Sequence, residues 1–288
     1  MPTPPSQPLS PILSGRFEPR TARFFARYTR RLFLRKFASV RVEPAGWTIM
    51  QALDSHEGPA IVVLNHASWW DPLICVLLGS LACPSRPACA PMERSQLEKF
   101  SFFRRLGLFG VNPDDPHSLA PMLDYVHQHF ASNPKGTFWL TPQGRFADPR
   151  TPIDIRPGAA AAAARAERAW PGRLRIVSVA AEYTFGLEQR PEVLLRIQDV
   201  QPLRADGSPA LRTGVGGWQR GILAAMQHNQ DALAALVSAR SLAPFQPLLG
   251  GRPSINPIYD LWLRLRGKSS GLDAARDRHS RGQPHPNH

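Results

Sequence analysis

Short runs of apolar residues alternate with longer segments of helical periodicity along the central part of the chain. The apolar runs have the length and composition of buried strands, and they comprise residues 60–65, 88–92, 137–142, 174–183 and 192–200. Helical patterns lie between and after these runs, at residues 72–81, 95–106, 118–131, 158–170 and about 217–239. Because strands alternate with helices, the pattern predicts an α/β fold with a mixed, largely parallel sheet flanked by helices.

The segment that precedes the first of these strands, residues 16–37, has a different pattern. On a helical wheel its apolar side carries Phe24, Phe25, Tyr28 and Leu32. The opposite side is basic and carries Arg20, Arg23, Arg27, Arg30 and Arg31. A basic amphipathic helix with aromatic residues fits the headgroup region of an anionic membrane. The alternative is a helix whose aromatic residues pack on its own domain while the arginines face water.

These patterns divide the chain into four parts. Residues 1–15 are rich in proline and serine, a composition typical of disorder, and residues 268–288 have a similar composition. Between these ends we expect a membrane-surface helical segment at residues 16–55 and an α/β domain at residues 56–267.

The charge of the chain indicates anionic partners. Lysine and arginine total 35 against 22 acidic residues, which gives a formal net charge of +13. Phospholipid headgroups, nucleic acid and phosphorylated substrates are all compatible with this charge. The sequence contains no helix-turn-helix, zinc or RNA-binding motif, so nucleic acid is the less favoured partner. A non-catalytic basic protein that binds anionic lipid or nucleic acid is the alternative to an enzyme.

The sequence contains neither a run of about 18 apolar residues nor a secretory signal. We therefore expect a cytoplasmic protein that binds peripherally to the inner face of the cell membrane. Only four of the 35 basic residues are lysines, a bias typical of GC-rich genomes, and we expect a bacterial source. The cysteines Cys75, Cys83 and Cys89 form no Cys-x-x-Cys pair, which predicts reduced thiols packed as small apolar groups.

Candidate chemistry is concentrated in the stretch VVLNHASWWDP at residues 62–72. His66 stands where a predicted strand ends, and ligands of open α/β sheets bind beyond such ends. Asp71 follows five residues later, a separation that points side chains about 140° apart in a continuous helix. A bent junction could bring the carboxylate to one imidazole nitrogen and leave the other as a general base. The alternative is that Asp71 caps the next helix, together with Ser68 or Pro72.

The stretch NHASWWD matches the Asn-His-x4-Asp signature of the glycerolipid acyltransferases, the family that includes the 1-acylglycerol-3-phosphate acyltransferases. Further along, WLTPQGRF resembles the family block Phe-Pro-Glu-Gly-Thr-Arg. The segments IRPGAAAAAARA at 155–166 and IVSVAAEY at 176–183 resemble the next two elements. The resemblance covers roughly residues 55–200 and rests on the order and spacing of these blocks.

The resemblance implies a reaction and a set of residues. His66 deprotonates a hydroxyl of a lysophospholipid or related lipid acceptor, which attacks an acyl thioester on coenzyme A or acyl carrier protein, and Asp71 orients the histidine. No metal, cofactor or covalent enzyme intermediate is implied. The matching blocks make the following residues candidates for substrate binding: Asn65, Ser68, Pro142, Gln143, Gly144, Arg145 and Arg156.

Departures in two parts of the family pattern bear on the acceptor. In the block that resembles Phe-Pro-Glu-Gly-Thr-Arg, Gln143 replaces the glutamate and Arg145 replaces the threonine. Residues 106–118 contain two aspartates and no arginine. These departures favour an acceptor other than lysophosphatidic acid. A hydrolase that uses His66 with Ser68 is a third hypothesis, but the chain has no Gly-x-Ser-x-Gly elbow, which counts against it.

Overall fold

The computed structural model describes residues 12–251, except Leu187, Leu211 and Arg212. Its strands are β1 (Ser39–Val42), β2 (Ala60–Leu64), β3 (Ala88–Glu93), β4 (Leu108–Val111), β5 (Thr137–Leu140), β6 (Arg175–Thr184), β7 (Glu192–Asp199) and β8 (Gln246–Gly250). Its helices are α1 (Pro19–Lys36), α2 (Pro44–Ser55), α3 (Asp71–Ala82), α4 (Arg94–Lys99), α5 (Leu119–Ser132), α6 (Gly158–Ala169) and α7 (Val215–Ser238). Two short 3₁₀ helices lie at Ser101–Arg105 and Pro116–Ser118.

The eight strands form one sheet in the order β4-β3-β5-β2-β6-β7-β1-β8. Five of the seven neighbouring pairs are parallel, and only β6–β7 and β1–β8 are antiparallel. The predicted α/β class with a mixed, largely parallel sheet is therefore confirmed. The strands at the centre are covered by helices on both faces, which explains why β2 is apolar at every position.

Alternate residues of β2 contribute to two separate hydrophobic cores. Ile61 and Val63 pack on the face covered by α5 and α6, where six of the eight alanines of α6 are buried. Val62 and Leu64 pack on the opposite face, which is covered by α1, α2 and α3. Small side chains on α6 let that helix lie close to the sheet, and so an alanine-rich sequence serves as core there.

Five of the eight strands coincide with predicted apolar runs, whereas β1, β4 and β8 have no predicted counterpart. β1 and β4 have four residues each, and β8 is an edge strand in which one residue of five, Leu249, is buried. The helix predicted at 95–106 ends at Lys99, because Phe100 leaves the helical region with φ −117° and ψ 60°. The chain then continues as a 3₁₀ helix.

The predicted boundary between a helical segment and an α/β domain does not divide the structure. β1 lies inside the sheet between β7 and β8, and α2 packs on β7, so residues 39–55 are part of the same unit as the sheet. Ile12 is buried in the core and Leu13 pairs with Gly110, although both fall within the segment predicted to be disordered. The predicted tail at 268–288 and residues 1–11 lie outside the described residues.

The faces of α1 differ from the predicted apolar and basic sides. Phe33 is the buried anchor, and its ring lies 5.1 Å from Phe37 and 5.5 Å from Trp70. Phe25 packs against Phe102 and Phe103, whereas Phe24 and Tyr28 are exposed. The apolar side that the sequence predicted is therefore split between protein and solvent. The predicted basic side, Arg20, Arg23, Arg27, Arg30 and Arg31, is exposed as expected.

All three cysteines are free, and Cys83 and Cys89 are buried, which confirms the prediction of packed thiols. Burial raises the pKa of Cys83 to about 12 and also raises the pKa of Cys89, so both thiols stay protonated at neutral pH.

Within residues 12–251 as described, no helix has the length and hydropathy required of a membrane span.

The buried guanidinium of Arg86 joins the end of α2 to the starts of β2 and β5. It is 4% exposed and donates to the carbonyl oxygens of Leu53 (2.7 Å), His56 (2.9 Å), Gly58 (2.6 Å) and Gly136 (3.1 Å) and to the Thr137 hydroxyl (2.8 Å). Without this arginine, all five acceptors would lose a charged donor, although the Leu53 and Gly136 carbonyls would keep the backbone N–H groups of His56 and Ala60.

We expect Arg86→Met to lower the free energy of unfolding by about 3 kcal/mol, because buried acceptors lose a charged donor. Urea denaturation followed by circular dichroism measures the change. Arg168→Met is the matched control, since Arg168 is exposed and has no ion pair within the described residues, and it should change stability by less than about 0.5 kcal/mol. Equal denaturation midpoints for the two variants would contradict the structural role of Arg86.

Candidate active site

The site begins where β2 ends. Asn65 is buried, and its side chain continues the pairing between β2 and β6 after the strand has stopped. Its Nδ2 donates to the Ala181 carbonyl at 3.0 Å, and its Oδ1 accepts the Ala181 backbone N–H at 2.8 Å. The sequence predicts that Asn65 binds substrate, but both polar atoms of its side chain are hydrogen-bonded to β6. These bonds fix the direction in which the chain leaves the sheet at His66.

His66 and Asp71 form the predicted pair. Nδ1 of the imidazole lies 2.9 Å from Oδ2 of Asp71, whose side chain is completely buried. The same Oδ2 accepts the backbone N–H of Ser68 at 2.8 Å. Asp71 is the first residue of α3, whose N-cap is Trp70 without a side-chain cap bond. Its carboxylate therefore does not cap the helix as the alternative predicted, but closes the turn at Ser68 and contacts the histidine. The tight turn at Ser68 produces the bend that their five-residue separation requires.

Tyr183 completes the surroundings of the carboxylate. Its hydroxyl donates to Oδ1 of Asp71 at 2.7 Å from the far end of β6. Desolvation, together with the negative charge of Asp71, raises the pKa of Tyr183 well above its ordinary value, so the hydroxyl remains a donor. Sequence reasoning did not assign this residue, although the resembling segment IVSVAAEY ends on it.

The loop after β5 holds the backbone of His66 from both sides. Oε1 of the buried Gln143 accepts the His66 backbone N–H at 2.7 Å, and the backbone N–H of Ala147 donates to the His66 carbonyl at 2.8 Å. Pro142 is buried too, and its carbonyl accepts the backbone N–H of Arg156 at 2.8 Å. Three predicted substrate-binding positions, Pro142, Gln143 and Gly144, therefore form one turn beside the histidine.

Gly144 is the position in this turn where only glycine fits. Its φ is +64°, and a Cβ placed there would lie 2.7 Å from Nε of Arg156. The side chain of Arg156 thus packs directly over the turn that carries Gln143.

Comparison with known protein families identifies the domain that contains these contacts. Residues 45–182 match the family described as Acyltransferase. Residues 45–182 form an acyltransferase-family domain. The resemblance to glycerolipid acyltransferases noted in the sequence is therefore confirmed. A search of curated proteins finds no significant match to the chain.

The match begins in α2 and ends at Glu182, so it contains every predicted site residue. Tyr183 is the next residue after it. The acyltransferase domain thus contains His66, Asp71 and the loop after β5. Tyr183, which also donates to Asp71, lies one residue beyond the matched range.

The arginines near the active site of the acyltransferase domain differ in their pairing. Arg156 donates to Oδ1 of Asp114 at 2.9 Å and to the carbonyl of Pro113, and Arg150 donates to the buried Glu182 at 2.7 Å. Arg145 is exposed and makes no ion pair with any described residue. Two of these three cations are therefore neutralised by the protein itself.

Two exposed aromatic rings lie next to the histidine. The ring centroid of Phe146 is 4.2 Å from that of His66, and the ring of Trp69 is 5.6 Å from that of Phe146. Phe146 is 49% exposed and Trp69 is 80% exposed. Nε2 of His66 makes no hydrogen bond to any described residue, and the side chain is 17% exposed, so this nitrogen is available to a substrate.

We expect Tyr183→Phe to lower kcat about tenfold while KM stays nearly unchanged. A hydrogen bond to a charged group contributes about 1.5 kcal/mol or more, and its loss leaves Asp71 less firmly oriented against His66. Steady-state kinetics of thiol release from an acyl thioester measures the effect. Tyr125→Phe is the control, because it also removes a hydroxyl that donates a hydrogen bond, here to the Gly15 carbonyl, and it should retain wild-type kcat. A rise in KM at constant kcat would indicate that Tyr183 binds substrate and does not act through Asp71.

Proposed function

We propose that the protein transfers a fatty acyl group from an acyl thioester, carried by coenzyme A or acyl carrier protein, to a hydroxyl of a lipid acceptor. The observation that carries this proposal is the contact between His66 Nδ1 and the buried carboxylate of Asp71 within an acyltransferase-family domain. The contact leaves Nε2 without a partner in the described part of the chain and next to an open, apolar surface.

The proposed reaction needs a base, a positioned hydroxyl and a leaving thiol. Nε2 of His66 removes the proton from the acceptor hydroxyl, and the oxygen attacks the thioester carbonyl carbon. Asp71 stabilises the imidazolium that forms, because its carboxylate lies 2.9 Å from Nδ1. The tetrahedral intermediate then collapses, the C–S bond breaks, and the imidazolium returns its proton to the sulfur. The products are an ester and a free thiol.

The alternatives have less support from the geometry. A serine hydrolase requires a hydrogen bond between its nucleophile and its base. Instead, Oγ of Ser68 accepts the backbone N–H of Trp70 at 3.3 Å. A non-catalytic basic protein would have no need of a buried carboxylate with three donors beside a histidine.

We expect His66→Ala to lower the rate of acyl transfer by about 10² to 10⁴, the usual cost of losing a general base. Asp71→Asn should also lower the rate strongly, because the neutral amide cannot stabilise an imidazolium. The assay follows free thiol released from an acyl-CoA in the presence of a panel of lipid alcohols and lysolipids. His228→Ala, at an exposed position of α7, is the matched control and should keep full activity. Wild-type turnover in His66→Ala would overturn the proposed mechanism.

We also propose that α1 binds an anionic membrane surface, on the cytoplasmic side of the cell membrane. Its exposed arginines have no ion-pair partners in the described part of the protein, and Phe24 and Tyr28 are exposed beside them. Such a surface gains about 1 kcal/mol for each basic residue near anionic lipid. Phe33 packs on Trp70, the residue before Asp71, so membrane binding by α1 would bring the active site to the lipid.

Charge reversal of Arg23, Arg27 and Arg30 to glutamate should abolish sedimentation with anionic vesicles. The charge attraction fades within about 8 Å at physiological ionic strength, so salt should also weaken the binding of the wild type. A control variant that reverses Arg168, Arg204 and Arg240 has the same net charge and should sediment as the wild type does. Equal sedimentation of both triple variants would contradict a membrane role for α1.

A further inference from the structure

The groups that surround His66 Nε2 differ from those that a phosphate requires. A phosphate monoester carries a charge of about −1.5 to −2 at neutral pH and loses its hydration when it binds. It therefore needs cations or several donors close to the reacting hydroxyl. The ring that contacts the imidazole is instead apolar, that of Phe146, and the ring of Trp69 lies next to Phe146; both rings are exposed to solvent.

Of the first three arginines that follow β5 in sequence, two have ion-pair partners within the protein and the third is exposed. Arg150 pairs with the almost completely buried Glu182. If Arg150 turned toward a substrate, the carboxylate of Glu182 would remain buried without a positive charge beside it. Arg156 is bonded to Asp114 and Pro113 and lies against Gly144, so moving it would also disturb the turn that carries Gln143. Arg145 remains, but a single exposed guanidinium in water attracts an anion only weakly.

We propose that the acceptor of this acyltransferase is a neutral lipid alcohol, with no phosphate next to the hydroxyl that receives the acyl group. The inference rests on the proposed acyl transfer and extends it to the class of acceptor. The apolar rings of Phe146 and Trp69 contact the hydrocarbon or ring face beside the hydroxyl, and the hydroxyl reaches Nε2 of His66. Burial of these two rings by the acceptor supplies binding energy that a phosphate could not use.

A matched pair of acceptors tests this inference. 1-Oleoylglycerol and 1-oleoylglycerol-3-phosphate differ only in the phosphate. Each is presented at the same low mole fraction in neutral detergent micelles with oleoyl-CoA as donor, so that the phosphate adds little charge to the micelle surface that α1 meets. Formation of the doubly acylated product is measured by mass spectrometry. We expect kcat/KM to be at least about tenfold higher for the neutral alcohol.

Variants at Phe146 test the physical reason. Phe146→Arg introduces a cation beside His66, at the position where the family block Phe-Pro-Glu-Gly-Thr-Arg has its arginine. It should shift the ratio of the two kcat/KM values toward the phosphate-bearing acceptor by about tenfold or more. Phe146→Leu is the matched control, because it keeps an apolar side chain and adds no charge, and it should retain the preference for the neutral alcohol.

The possible outcomes separate this inference from the proposed function. An equal or higher kcat/KM for 1-oleoylglycerol-3-phosphate in the wild type would overturn the neutral acceptor and leave acyl transfer in place. An unchanged acceptor ratio in Phe146→Arg would overturn the role of the aromatic surface in selection. Failure to acylate either compound, in wild type and His66→Ala alike, would overturn the proposed acyl transfer and this inference with it.

Discussion

The buried carboxylate of Asp71 is the constraint on which the candidate active site depends. A charge with no access to water is costly unless donors surround it, and Asp71 has three of them: the imidazole of His66, the backbone N–H of Ser68 and the hydroxyl of Tyr183. The first two come from the junction after β2 and the third from the end of β6. All three donors reach the carboxylate because β2 and β6 are neighbours in the sheet, where Leu64 lies opposite Val179.

The histidine is held with comparable firmness at its backbone. Gln143 and Ala147 bond to its N–H and its carbonyl, and the turn that carries Gln143 requires glycine at position 144. Glutamine provides the acceptor oxygen that this contact needs and adds no negative charge to the site. The loop after β5 therefore orients His66, and our proposal assigns acceptor selection to Phe146 of the same loop.

Charge is used differently at the two surfaces that matter for the proposed function. The arginines of α1 are exposed and have no ion pairs among the described residues, which leaves them free to attract an anionic membrane. Arg150 and Arg156, near the active site, are paired with Glu182 and Asp114. In the proposed function, the arginines of α1 attract the protein to lipid, whereas the ring beside His66 is the apolar ring of Phe146.

The sequence by itself determined the fold class and the central strands, because continuous apolar runs are local patterns, and its short motif predicted the pairing of His66 with Asp71 as one of two roles for the aspartate. It did not predict β1, β4 or β8, since short or edge strands are defined mainly by their neighbours in the sheet. Only the tertiary structure brought Tyr183 to Asp71 across 112 residues and Asp114 to Arg156 across 42 residues. Contacts at such separations depend on strand order and on the packing of loops, and no local periodicity records them.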